Sequence, residues 1–275
     1  MTVYMTSDLH IDHYTENGIS IENFINNALL PADVLCVAGD TCDDPNLFIE
    51  FYKKVSLKYR KVFTVFGNHD LTIGNSTYFK NNPFKETQKK LDFLKAKLSE
   101  LKNVSILDGT VEDFEGMKFG GTMAFNDWTW AYRLEQDEVS KYELISKWYY
   151  WYDYIHWNYM ENSHDKILKD EMQKLDTVIA QKPDVIMTHF IPLFFGVKEN
   201  YYHLDTTTYF YFNGQKYLEQ LKDGSIWLAG HVHELFNKDL IQKEGRVVHL
   251  KLNPVGYPDE DTGNLESMNN FLIKF

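Results

Sequence analysis

An α/β fold is predicted by two features of the chain: short apolar runs alternate with stretches of helical periodicity, and five of the runs end in Asp, Asn or His. Val3 to Ser7 leads into Asp8-Leu9-His10, and Val34 to Ala38 into Gly39-Asp40. Val62 to Phe66 meets Gly67-Asn68-His69-Asp70, Val185 to Thr188 meets His189, and Ile226 to Ala229 meets Gly230-His231-Val232-His233. In α/β sheets the ligand-binding groups lie beyond the carboxyl ends of the strands. Strands sharing a sheet would therefore bring these polar side chains to one edge.

Each element has its own local reason. Ile21, Phe24, Ile25, Ala28 and Leu29 form one apolar helical face, which Pro31 terminates. Asp44 is placed as an N-cap with Pro45 at the first helical position, followed by the buried face Phe48, Phe51, Tyr52 and Val55. Leu91, Leu94, Leu98 and Leu101 predict another helix, and Val104–Leu107 and Met117–Phe119 predict strands. Ile167, Leu168, Met172, Leu175 and Ile179 predict the helix before the His189 strand, and Val247–Leu252 a late strand.

Residues 127 to 162 break this pattern, being crowded with Trp and Tyr. Val139 to Tyr159 is read as one helix, but with aromatics on every face. That arrangement implies burial on several sides or an exposed contact surface. Self-packing is the simpler reading, and stacking of a nucleobase on these rings the sharper one.

The composition excludes some partners. Asp and Glu number 40 against 28 Lys and Arg, a formal charge of −12, so general affinity for long nucleic acid is not expected. Cys36 and Cys42 are the only cysteines, and no apolar run approaches a membrane span. The expectation is a reduced, cytoplasmic setting without membrane attachment.

Asp8, His10, Asp40, Asn68, His189, His231 and His233 combine hard oxygen with borderline imidazole donors, a set suited to Mn, Fe, Zn, Ni or Co. Seven donors are more than one ion usually takes, but they serve two if a carboxylate is shared. In Asp8-x-His10 and His231-x-His233, alternate residues of an extended segment can face the same way.

The ordered blocks Asp8-x-His10, Gly39-Asp40-x-x-Asp43, Gly67-Asn68-His69-Asp70, His189 and Gly230-His231-x-His233 resemble the calcineurin-like metallophosphoesterase family. The resemblance implies a two-sheet β-sandwich flanked by helices, a four-layer αββα arrangement, in one domain over residues 1–275 with a cap-like insertion at about 120–165. It implies two divalent transition-metal ions, manganese first among them. Asp8, His10 and His233 would hold one ion, Asn68, His189 and His231 the other, and Asp40 would bridge. A hydroxide between the ions would attack a phosphodiester or phosphomonoester, with His69 stabilising phosphoryl oxygens or protonating the departing alkoxide. Asp43 would orient His69, with a plain helix-start role as the alternative, and Asp70 is read as a cap or turn residue.

Two departures narrow the substrate. Asp43 stands where the purple acid phosphatases have tyrosine, and Asp44 where the protein phosphatases have arginine. A small, nucleotide-like phosphate ester is the expected substrate, with the insertion and loop 193–213 as specificity walls. A nuclease on short or single-stranded ends and a non-catalytic metal-binding scaffold are the alternatives. His13 is read as a solvated loop residue, with contact to substrate phosphate as the alternative, His203 as a loop residue that could line the pocket mouth, and His156, His164 and His249 as helix-surface or strand residues.

Overall fold

The computed structural model describes residues 1–73, 83–134, 141–159, 163–194, 202, 204–260 and 269–275. In chain order the elements are β1 (Thr2–Thr6), α1 (Ile11–Glu16), α2 (Ile21–Ala28), β2 (Val34–Ala38), α3 (Pro45–Ser56) and β3 (Lys61–Val65). Then come α4 (Thr87–Ser99), β4 (Val104–Ile106), β5 (Thr110–Phe114), β6 (Met117–Gly121), α5 (Thr129–Leu134), α6 (Lys141–Trp148) and α7 (Tyr152–His156). The chain continues through α8 (His164–Ala180), β7 (Val185–Met187), α9 (Gln215–Leu218), β8 (Ser225–Ala229), β9 (Phe236–Ile241), β10 (Val247–Leu252) and β11 (Leu272–Lys274).

The strands form two mixed sheets flanked by helices. One has the order β11-β1-β2-β3-β4, the other β5-β6-β7-β8-β10-β9. β1 through β4 pair in parallel, as do β6, β7, β8 and β10, while β11, β5 and β9 join antiparallel. The central strands β2, β3 and β8 are buried at every residue, as continuous apolar runs require when both sheet faces are covered. Between the sheets, the rings of Phe63 and Phe119 stack 4.4 Å apart, and a Cβ on Gly121 would lie 2.7 Å from Val65 Cγ1. The sheets thus meet face to face over one core.

Local signals are realised where the chain decides them locally. The Asp44 carboxylate accepts from the Asn46 and Leu47 backbone N–H groups, and Pro45 opens α3. Ser20 caps α2 in the same manner. The single helix expected over 139–159 is not formed. Within the described residues, α6 ends at Trp148 and α7 begins at Tyr152. The break lets Trp148 and Trp157 both turn inward onto Phe125, at 5.6 and 5.9 Å, which one straight helix could not do. Trp128, Trp130, Trp148 and Trp157 are buried and Trp151 is half-buried against Tyr209, so self-packing accounts for four of the insertion's five tryptophans outright.

Candidate metal centre

Parallel β1, β2 and β3 of one sheet, and β7 and β8 of the other, all end at the same rim. There the loops are tied to each other before any ligand is considered. Leu9 and His10 N–H groups donate to the Asp40 carbonyl at 2.7 and 3.1 Å, and Asp8 N–H to that of Gly39 at 3.0 Å. Gly39 is obligatory: its φ is +83°, and a Cβ there would lie 2.7 Å from both Gly67 Cα and His189 Nδ1. Asp8, His10, Asp40 and His231 also hold positive φ values, of 51°, 41°, 53° and 72°, without being glycine. Such backbone persists only where surrounding bonds over-determine it.

Asp70 supplies many of those bonds. Its fully buried carboxylate accepts from the backbone N–H groups of Gly67, Asp40, Thr41 and Cys42 at 2.8, 3.1, 2.9 and 3.2 Å. It is therefore a clamp joining two site loops, more than the turn cap expected of it. Asp70→Ala strands four buried donors and is expected to destabilise the fold by on the order of 3 kcal/mol or more, read as a lower denaturation midpoint with unchanged slope.

The seven predicted donors come together. Ligand atoms of Asp8, His10 and His233 lie within 4.8 Å of one another, and so do those of Asp40, His189 and His231. His10 Nε2 and His233 Nε2 are 3.1 Å apart, and His189 Nε2 and His231 Nδ1 are 3.2 Å apart. Asn68 Oδ1 is 2.9 Å from His189 Nε2. Asp40 Oδ2 stands between the groups, 3.2 Å from His189 Nε2 and 3.8 Å from His10 Nε2.

The outer nitrogens explain why the inner ones face each other. His189 Nδ1–H donates to the Ala38 carbonyl at 2.9 Å, and His231 Nε2–H to that of Tyr209 at 3.3 Å. His233 Nδ1 meets Glu260 Oε2 at 2.5 Å. For His231 the contact leaves the inward Nδ1 with a lone pair, as partners of metal-bound imidazoles do. Burial opposes protonation of His189, but Asp40 outweighs it and raises its pKa to about 9, so its inward Nε2 carries a proton that a bound cation would displace. Burial, with neighbouring His69 and His189 respectively, holds His10 and His231 well below the usual imidazole range, so both are neutral donors. Asp8 Oδ1 accepts from the His231 N–H at 2.8 Å, while its buried Oδ2 has no hydrogen-bond partner among the described residues. An unpartnered carboxylate oxygen amid inward imidazole lone pairs fits a divalent cation.

His69 is different. Its Nδ1–H donates to Asp43 Oδ1 at 3.0 Å, and its backbone N–H to Asp40 Oδ1 at 2.9 Å. Burial alone would lower its pKa, but Asp43 and Asp40 outweigh burial and raise it to about 10. Its nitrogen also groups with His10 and Asp40 within 4.8 Å, but its Nδ1–H is committed to Asp43. Asp43 is held in turn by the Asp12 carboxylate on its N–H at 3.2 Å and by buried Lys90 Nζ on its carbonyl at 2.7 Å.

Several residues of this rim escaped the sequence reading. Asp153 Oδ1 accepts from Asn68 Nδ2 at 2.8 Å, which turns Asn68 Oδ1 toward His189. Trp157 Nε1–H donates to the Asn68 carbonyl at 2.9 Å, and Tyr152 hydroxyl to Asp43 Oδ2 at 3.1 Å. The Tyr257 ring lies 4.4 Å from His10 and 4.9 Å from His233. The only signal for the first three was polar chemistry within an aromatic run, without a register to say what it faced.

Among the other histidines, His164 is corrected: it is buried, 2.6 Å from Asn126 Oδ1 and stacked on Trp128, not on a helix surface. His13 is half-buried on α1, its ring 4.7 Å from that of Tyr257. His203 and residues 195–201 of the aromatic loop lie outside the described residues.

The sequence matches the calcineurin-like phosphoesterase family model over residues 1–235. It is 24% identical over 251 residues to an uncharacterised protein of Acanthamoeba polyphaga mimivirus, covering 82% of each chain. The structure superposes on a phosphopantetheinyl hydrolase from Mycobacterium tuberculosis with a TM-score of 0.72 at 17% identity, covering 100% of this chain and 95% of that one. At that identity the likeness is one of fold.

Proposed function

Because the chain belongs to the calcineurin-like phosphoesterase family of metal-dependent hydrolases, we propose that it hydrolyses a small phosphate ester, preferentially a phosphodiester, at a dinuclear centre. The carrying observation is the convergence of two donor groups on one rim with Asp40 between them. Asp8, His10 and His233 would hold one cation, Asn68, His189 and His231 the other, and Asp40 would be common to both. When bound, such a pair activates water and neutralises phosphoryl charge. His69, held by Asp43, would direct its remaining N–H at the ester oxygen and give it a proton as the phosphorus–oxygen bond breaks.

Substrate choice rests on what surrounds the centre. The insertion at about 120–165 would act as a cap, bringing Tyr152 beside His69, while Tyr257 lines the side of His10 and His233. Of these two rings Tyr257, rather than Tyr152 between His69 and His156 or the buried tryptophans, is the one on which a nucleobase could stack. The phosphopantetheinyl hydrolase of like fold makes a phosphopantetheinyl ester the second substrate class to assay. No described helix is long and apolar enough to cross a membrane.

Chelator-stripped protein resupplied with Mn²⁺ is expected to cleave bis-p-nitrophenyl phosphate faster than p-nitrophenyl phosphate, and the metal-free protein neither. Failure on both with Mn²⁺, Fe²⁺, Zn²⁺, Ni²⁺ and Co²⁺, and on nucleotide and phosphopantetheinyl diesters, would favour a scaffold. Cleavage confined to oligonucleotide ends, with steep salt dependence, would favour the nuclease reading.

A further inference from the structure

The Tyr152 side chain is the one contribution of α7 to the rim that touches the His69–Asp43 pair directly. Its hydroxyl donates to Asp43 Oδ2 at 3.1 Å, while Asp43 Oδ1 accepts from His69 Nδ1 at 3.0 Å. Both carboxylate oxygens are thereby engaged, one from each side. The Tyr152 ring also lies against the imidazole, with centroids 4.5 Å apart and planes inclined by 30°. Thr72 Oγ1 is 3.3 Å from the same hydroxyl, and the His156 ring packs 4.3 Å from the phenol on its own helix. Burial and the Asp43 carboxylate push the Tyr152 phenol well above its ordinary value, so the hydroxyl remains a donor.

We propose that Tyr152 is a positioning residue for the departing-group proton: by anchoring Asp43 and backing the His69 ring, it fixes the direction of the His69 Nε2–H. This rests on the reading of His69 as general acid. In the step, the attacking hydroxide oxygen forms a new bond to phosphorus while the phosphorus–oxygen bond to the leaving group breaks and its electron pair stays on that oxygen. The Nε2 proton passes to the oxygen, and Nδ1–H stays bonded to Asp43. Solvent then restores the proton. Tyr152 itself bonds Asp43 and Thr72 and packs on His69 and His156, none of them a proposed metal ligand, so its effect should appear only where the leaving group needs a proton.

That selectivity is the test. Methyl p-nitrophenyl phosphate releases a stable phenolate unaided, whereas methyl phenyl phosphate depends far more on protonation. With Mn²⁺-loaded protein, Tyr152→Phe is expected to lower kcat on the phenyl ester about tenfold, the worth of one hydrogen bond to a charged group, with KM and metal content unchanged. On the p-nitrophenyl ester the loss should stay within about twofold. Tyr152→Leu, which also removes the ring behind the imidazole, should extend the same pattern.

In a His69→Ala background Tyr152→Phe should add nothing further. Equal losses on the two esters, or an additive loss in that background, would overturn the proposal and leave Tyr152 as packing. If His69→Ala shows leaving-group dependence and Tyr152→Phe does not, only the Tyr152 assignment fails. If His69→Ala itself loses both esters equally, the general-acid reading fails first and takes this one with it.

Discussion

Asp40→Asn is expected to remove both metal and turnover. Among the described residues, the Asp40 carboxylate has an oxygen near ligand nitrogens of both groups, with Oδ2 3.2 Å from His189 Nε2 and 3.8 Å from His10 Nε2. Burial opposes its ionisation, but His189 and His69 more than offset that and hold it well below the usual carboxylate range. An amide of the same shape has no charge and turns an N–H toward one neighbour, so an inward imidazole lone pair is lost as well. Metal content measured after gel filtration should fall below stoichiometric. Turnover should drop by more than about 100-fold, since even outer partners of metal ligands are worth 10- to 100-fold. Stoichiometric metal with unaltered turnover would refute the shared role.

His69→Ala should separate chemistry from metal binding. His69 sits one residue after Asn68 and close to His10, its ring centroid 4.8 Å away, so a ligand role has to be tested and not assumed absent. The tight pairing with Asp43 and the raised pKa favour a proton donor. The expected result is metal content near normal and turnover lower by roughly 10²- to 10⁴-fold, the usual worth of a positioned acid. Loss of one metal equivalent would reassign His69 to the ligand set.

What was legible in the sequence follows from where each residue's environment is decided. The buried parallel strands announce themselves because both faces are covered, as in Val34–Ala38. Their polar ends are legible for the same reason: chemistry begins where the apolar run stops. Of the edge strands, β4 was legible in Val104–Leu107, but β5 and β9 were not. β5 reads Thr-Val-Glu-Asp-Phe and β9 Phe-Asn-Lys-Asp-Leu-Ile, and neither has an apolar run or a clean alternation to mark it.

The insertion was hardest. Its helix break, and the partnership of Tyr152, Asp153 and Trp157 with Asp43 and Asn68, are set by contacts 85 to 109 residues apart in the chain. No local periodicity encodes them. Asp70 was underestimated for a related reason: its role depends on donors from residues 40 to 42, which only folding brings near.

Four of the proposed ligands, Asp8, His10, Asp40 and His231, occupy left-handed backbone that glycine alone adopts at little cost. Each position carries backbone strain on the order of 1 kcal/mol or more. The carboxylates of Asp8 and Asp40 meet part of that cost themselves, by accepting the His231 and His69 backbone N–H groups. The rim is thus a strained edge that its own side chains help to hold on the sandwich beneath it.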